Sequence, residues 1–417
     1  FTDLSLEIML LFTSGRIPRE GLKPLIERSY KTFRHPEITP VKSVGGIYIL
    51  ELFHGPTFAF KDVALQFLGN LFESFLDKRH HPLRIIAATS GDTGSAAIHG
   101  LQGKKGVDVF MLHPKGRVSP MQELQMITVL DPNIHNMAIE GTFDDAQAIV
   151  KALFNDQEFK KKHYLGSVNS INWARILAQI VYYFYAWFQV AKDDSELVSF
   201  VVPTGNFGNI LAGYYAKRMG LPIDKLVIGT NENDILHRFF SKGEYHRTEL
   251  KETYSPSMDI QISSNFERYL FDLAGNSAVK LQHWMDDFER TGKLTIDGEL
   301  LKIAQSDFVS ARVGDEEIVR TIRNFHQQTG YLLDPHTAVG VNATEKTDIQ
   351  TPVICLACAH PAKFGEIIRK ALGTEPELPE ELAMLENMET NCKTIPAVTE
   401  RIKNEILKTL EAQSITP

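Results

Sequence analysis

The chain has 417 residues, 43% of them hydrophobic, with a formal net charge of −8 and a pI near 6.0. That is ordinary globular composition with room for a large core and two domains, and it gives no reason to expect nucleic acid or an anionic membrane as a partner. Three cysteines, Cys355, Cys358 and Cys392, cannot form a disulfide framework in so long a chain, so a reducing compartment, by default the cytoplasm, is expected.

Residues 1–45 read as a peripheral helical segment. The chain opens at Phe1 without an initiator methionine, so targeting is not read from this end. The stretch "ELFHGPTFAFKDVALQFLGNLFESFL" follows, with apolar pairs at Ala64/Leu65, Phe67/Leu68, Leu71/Phe72 and Phe75/Leu76. This spacing predicts a buried helix beginning near Asp62, with Lys61 at its N-terminus. The helix dipole and the flanking Phe58 and Phe60 would both disfavour a protonated amine there. Lys61 either snorkels to solvent and pairs with Asp62, or is an amine held for Schiff-base chemistry.

From about residue 84, short β-branched runs alternate with helical patterns: "RIIAAT" then "SAAIHGLQ", "VDVFMLH" then "MQELQMITVL". The same alternation returns in "LVSFVVP" then "NILAGYYAKRMG" and "KLVIGT" then "NDILHRFF", implying βαβ units and mostly parallel sheets covered by helices. The first unit contains "AATSGDTGSAAIHG", whose Ser90, Asp92 and Thr93 could offer hydroxyls and amides to a carboxylate or a ring oxygen. The same residue types are also ordinary helix caps. The run "INWARILAQIVYYFYAWFQV" is interrupted by Asn172, Arg175 and Gln179 and reads as a buried helix, not a membrane span.

A charged, turn-prone "AKDDSE" at 190–197 suggests a boundary, giving an α/β lobe at 46–192 and a larger one at 193–375. In the second, "FVVPTGNFGNILAGYYAKRMG" is strand, glycine turn, helix; Gly205 and Gly208 let backbone amides converge on a phosphate, or simply permit a tight turn. The G-N-F-G pattern departs from the dinucleotide fingerprint, weakening a dehydrogenase reading, and no Walker A, G-x-S-x-G or H-E-x-x-H pattern occurs. Cys355 and Cys358 have redox or zinc spacing but no second pair, so a buried strand with incidental cysteines is the better reading and no metal is expected. Asn342-Ala-Thr matches a glycosylation sequon, a false positive in a cytoplasmic protein. Residues 376–417, rich in Glu and Lys, read as a helical tail. Two anion loops and one activated lysine together suit a ligand bearing a phosphate, an aldehyde and an amino-acid carboxylate.

The motifs "HGPTFAFKD", "ATSGDTGSAA", "NSINWARILAQ", "PTGNFGNILAGYYAKRMGLP", "DPHTAVG" and "AHPAKF" occur in the order found in threonine synthases of the branch shared by fungi and enteric bacteria, and the chain resembles that family over roughly residues 1 to 375. The resemblance implies a pyridoxal 5'-phosphate (PLP) enzyme of fold type II, similar to the tryptophan synthase β subunit. It implies an internal aldimine at Lys61, a phosphate cradle at Gly205, Asn206, Phe207 and Gly208, and Asp92 near the ring oxygen. Ser90 and Thr93 are then contacts for the substrate carboxylate, and Lys115, Ser170, Asn172 and Arg175 for the substrate phosphate, unless "NSINWAR" only caps a helix and Lys115 is solvated.

The family tends to place a threonine near the pyridine nitrogen where this chain has Cys358, a weaker hydrogen-bond partner. The implied reaction converts O-phosphohomoserine and water to threonine and phosphate in a monomer or homodimer. The alternatives are a related phospho-lyase that releases 2-oxobutyrate and a non-catalytic PLP-binding protein. Against the family pattern an N-terminal segment is missing and passages such as "VNATEKTDIQTPVIC" are short, so omitted residues are expected.

Overall fold

The computed structural model describes residues 1–13, 15–78 and 81–415. Its contacts divide the chain into two compact units. The first comprises Phe1–Ile26, Phe33–Phe60 and Ser170–Glu377, and the second Glu27–Thr32, Lys61–Asn169 and Leu378–Pro417. Continuous blocks at 46–192 and 193–375 are therefore not how the chain is partitioned.

Strand pairing accounts for the interleaving. The first unit holds a six-stranded sheet in the spatial order Val41–Val44, Ile47–Glu51, Val353–Ala357, Val198–Pro203, Ile223–Thr230, Phe308–Arg312. Only the first two strands pair antiparallel; the other neighbours are parallel. Ile47–Glu51 thus lies beside a strand three hundred residues away in the sequence. The central strands Val198–Pro203 and Val353–Ala357 are buried at every position, which is why they read as unbroken apolar runs. Helix Trp173–Val190 packs on helix Gly208–Arg218 and keeps its own first half buried, so it belongs here and not with the residues preceding it. The N-terminal helix Thr2–Thr13 is less peripheral than expected: Met9 is fully buried and Phe1 packs edge-on to Tyr185 at 5.3 Å.

The second unit is built on a five-stranded parallel sheet in the order Lys393–Pro396, Ile134–Glu140, Val107–Pro114, Leu83–Ala88, Leu165–Gly166. The expected helical tail supplies its edge strand before forming helix Thr399–Ile415. Ile395, Ile402 and Ile406 join Ile86, Phe110, Met137 and Leu153 in one core; at about 1.5–3 kcal/mol per fully buried aliphatic side chain, they anchor the tail firmly. Among the described residues no helix is long and apolar enough to cross a membrane.

Candidate active site

In the first unit, strand Val198–Pro203 runs through a short turn into helix Gly208–Arg218. Phe207 ends the turn at φ +61°, ψ −5°, a left-handed conformation that costs a non-glycine residue roughly 1–2 kcal/mol. Its ring, 1% exposed, lies 5.3 Å from Phe266 and 5.8 Å from Phe308 between centroids, and this packing holds the strained backbone. Among the described residues, the amides of Gly205, Asn206, Phe207 and Gly208 donate to no protein acceptor. Four such donors at a helix N-terminus make an anion-binding concavity.

The carbonyl side of the turn is buttressed by Ser263–Asn265. Ser263 Oγ donates to Gly205 O at 2.8 Å, the Asn265 amide to Asn206 O at 3.1 Å, and Ser264 Oγ to Asn206 Oδ1 at 3.1 Å. A Cβ on Gly205 would lie 3.1 Å from both Met258 Cα and Ser257 O, so a larger residue would have to push backbone aside by a few tenths of an ångström. Ser170 is brought to this turn through Ser264, hydroxyl to hydroxyl at 2.7 Å. Asn172 serves as the helix cap anticipated as its alternative role, its Oδ1 accepting from the Ala174 amide at 3.0 Å. Arg175 follows in the first turn of that helix, 3% exposed; burial lowers its pKa to about 10, so it remains cationic at neutral pH. The hydroxyls of Tyr182 and Tyr183 donate to Asn209 Oδ1 at 2.5 Å and Asn209 O at 2.8 Å, tying the two helices together.

Cys358, 6% exposed, follows the buried strand Val353–Ala357, in which burial also pushes the Cys355 thiol far up. The Cys358 amide donates to Thr337 Oγ1 at 3.2 Å, and Thr337 in turn donates to the Asp334 carboxylate. Its thiol points back to the Leu356 carbonyl, 3.7 Å away. The same segment clamps residues 57–60: Phe60 N donates to Cys358 O at 2.8 Å, His360 N to Phe58 O at 3.0 Å, and Lys363 Nζ to Thr57 O at 2.8 Å.

In the second unit Lys61 is the first residue of helix Lys61–Leu76, half-buried and followed by the fully buried Asp62. That helix crosses helix Asp92–Leu101 so tightly that a Cβ on Gly69 would fall 1.9 Å from Gly100 O. The turn before Asp92–Leu101 is organised by Thr89, whose Oγ1 accepts from the amides of Gly91 at 3.0 Å and Gly94 at 2.8 Å. Ser90, Asp92 and Thr93 therefore do not cap the helix: Gly91 is the N-cap, without a side-chain bond. The Asp92 carboxylate accepts from Gln122 Nε2 at 2.7 Å. Ser90 is exposed and Thr93 half-buried, and among the described residues their amides donate to no protein acceptor. Lys115 is solvent-exposed in the turn after Val107–Pro114.

The structure thus gathers Ser170 with the 205–208 turn, and Ser90, Asp92 and Thr93 in one turn of their own. Thr89, Gln122, Thr337, Asn209 and Ser263–Asn265 support these groups and were not anticipated. The only signal for the last was a Ser/Asn-rich run, which marks a loop and nothing more.

Residues 31–286 match the family described as pyridoxal-phosphate dependent enzyme, and residues 337–406 the family described as threonine synthase, C-terminal. The chain is 53% identical over 412 residues to the threonine synthase of Schizosaccharomyces pombe, covering 90% of this chain and 80% of that protein. The crystal structure of threonine synthase from yeast superimposes with a TM-score of 0.93 at 48% identity, over 99% of this chain and 89% of the other. A PLP-bound threonine synthase from Brucella melitensis gives 0.94 at 44% identity, over 98% and 88%. The four unpartnered amides at residues 205–208 fit the phosphate monoester of that cofactor.

Proposed function

The chain belongs to the threonine synthase family of PLP-dependent lyases, and from that membership we propose that it converts O-phospho-L-homoserine and water to L-threonine and phosphate in the cytoplasm. The observation that carries the residue assignments is the strained turn at Phe207, with four amides unpartnered at a helix N-terminus. Bound pyridoxal phosphate supplies an electron sink for a carbanion on the substrate.

The protein's own part is to hold, orient and move protons. The amides of Gly205, Asn206, Phe207 and Gly208 receive the cofactor phosphate. Lys61 Nζ would hold the cofactor at rest and would take the substrate Cα proton and later a Cβ proton. Asp92, whose carboxylate is held by Gln122, would serve the ring oxygen, and Cys358 would serve the pyridine nitrogen. The open amides of Ser90 and Thr93 orient the substrate carboxylate. Ser170, the Asn172 side-chain amide, Arg175 and Lys115 are the donors and cations we assign to the substrate phosphate, and Arg175 is buried.

Borohydride reduction of the PLP-loaded protein followed by peptide mapping tests the central assignment. The cofactor is expected on Lys61, and Lys61→Ala is expected to abolish both the attachment and turnover. Attachment to another lysine would remove Lys61 from the site.

A further inference from the structure

His113 stands near the end of strand Val107–Pro114 with its side chain wholly buried, and its Nδ1 has no hydrogen-bond partner among the described residues. Its Nε2 is 3.6 Å from the thiol of Cys392, which is half-buried just before the edge strand Lys393–Pro396. On the other side of the ring, Glu123 of helix Pro120–Ile127 holds Oε1 3.8 Å from Nδ1. A thiol, a buried imidazole and a carboxylate in this sequence of contacts are the elements of a base-assisted nucleophile, and nothing in threonine synthesis as described above uses them.

We propose that Cys392 is a site of reversible mixed-disulfide formation with a carboxylate-bearing low-molecular-weight disulfide, activated by His113 and Glu123. The Cys392 Sγ proton passes to His113 Nε2, and the sulfur electron pair attacks one sulfur of the incoming disulfide. A new bond forms from Cys392 Sγ to that sulfur while the original S–S bond breaks. The departing thiolate then takes the proton from His113; Cys392 is oxidised and one sulfur of the reagent is reduced.

Burial holds the Cys392 thiol above its ordinary range and His113 below its own, so at rest both are neutral and the proton moves only as the sulfur attacks. When His113 takes the proton, Glu123 faces the resulting cation across the 3.8 Å gap. Two charged groups act on the thiol itself: Glu123 disfavours the thiolate, so its help is confined to the His113 cation, while the Lys115 ammonium favours the thiolate and is solvent-exposed, where it can meet a carboxylate-bearing reagent. Cys355 and Cys358 are buried, whereas Cys392 is only half-buried.

The test treats the full chain with oxidised glutathione and follows adduct formation and position by mass spectrometry. One adduct is expected, on Cys392, absent in Cys392→Ser. His113→Gln is expected to slow it about a hundredfold, the usual order of a general base. Glu123→Gln, at a partly exposed position that leaves the fold intact, is expected to slow it about fivefold. First modification at Cys355 or Cys358, no adduct, or a rate unchanged in Glu123→Gln or in folded His113→Gln would overturn the proposal.

Discussion

The Phe60 amide donates to the Cys358 carbonyl across 2.8 Å, so the residue immediately before Lys61 is pinned to the residue that follows the buried strand Val353–Ala357. Cys358 in turn hangs from Thr337 and through it from the Asp334 carboxylate. All of these are main-chain attachments of Cys358, and they do not depend on what its side chain is.

Cys358→Thr is therefore expected to preserve cofactor binding and to alter turnover only a few-fold, since a hydroxyl replaces a weak sulfur partner without disturbing the backbone clamp. Spectral titration with pyridoxal phosphate beside steady-state rates checks this. Loss of cofactor from the Thr variant would show that the side chain is misplaced in this account.

Phe207→Ala removes the ring that holds the left-handed turn while leaving a Cβ in a conformation it disfavours. Truncating a buried phenylalanine costs about 3–5 kcal/mol. Denaturant unfolding is expected to register that loss, and weaker binding of inorganic phosphate to the variant would tie the ring to the anion turn.

Ser263→Ala deletes one hydrogen bond to the Gly205 carbonyl, the 2.8 Å buttress of the turn. A typical loss is about 1 kcal/mol in stability, and cofactor affinity is expected to fall with it. Equal affinity for pyridoxal phosphate in wild type and variant would mean that the turn holds its shape without this support.

His360 is held down to about 4 from an ordinary 6.5, first by burial and then by neighbouring His54, against the opposing pull of Asp334 and Glu51. Between pH 6.5 and about 4 the unfolded chain binds a proton that the folded chain refuses, so stability is full above this window and lost as pH falls through it. The shift corresponds to about 3 kcal/mol. Glu51 adds a loss at lower pH: burial raises its pKa, but bonds from His54 and Tyr331 more than offset this and keep it below 4.5. His360→Gln is expected to flatten the stability profile between pH 6.5 and 4, measured by urea unfolding at each pH; an unchanged slope would contradict the assignment.

Local signals carried far along this chain, and distant pairings did not. The helix starting at Lys61 followed from apolar residues at helical spacing, and the strand-turn-helix around Gly205 from a buried run meeting two glycines. The interleaving of the two units rests instead on Ile47–Glu51 pairing with Val353–Ala357, and on Lys393–Pro396 pairing with Ile134–Glu140. Both are contacts between segments hundreds of residues apart, on which local periodicity is silent. The buttress of Ser263–Asn265 was hidden for a related reason: its side chains bond to another loop's carbonyls, and no period marks that. The part played by Thr89 in the turn that carries Ser90, Asp92 and Thr93 was hidden in the same way, because its hydroxyl at the strand end accepts from the amides of Gly91 and Gly94 and no sequence period marks that.

The most direct test is to incubate the purified, PLP-loaded protein with O-phospho-L-homoserine and identify the organic product. L-threonine in equal amount to released phosphate is the expected result; 2-oxobutyrate in its place, or no turnover at all, would contradict the account.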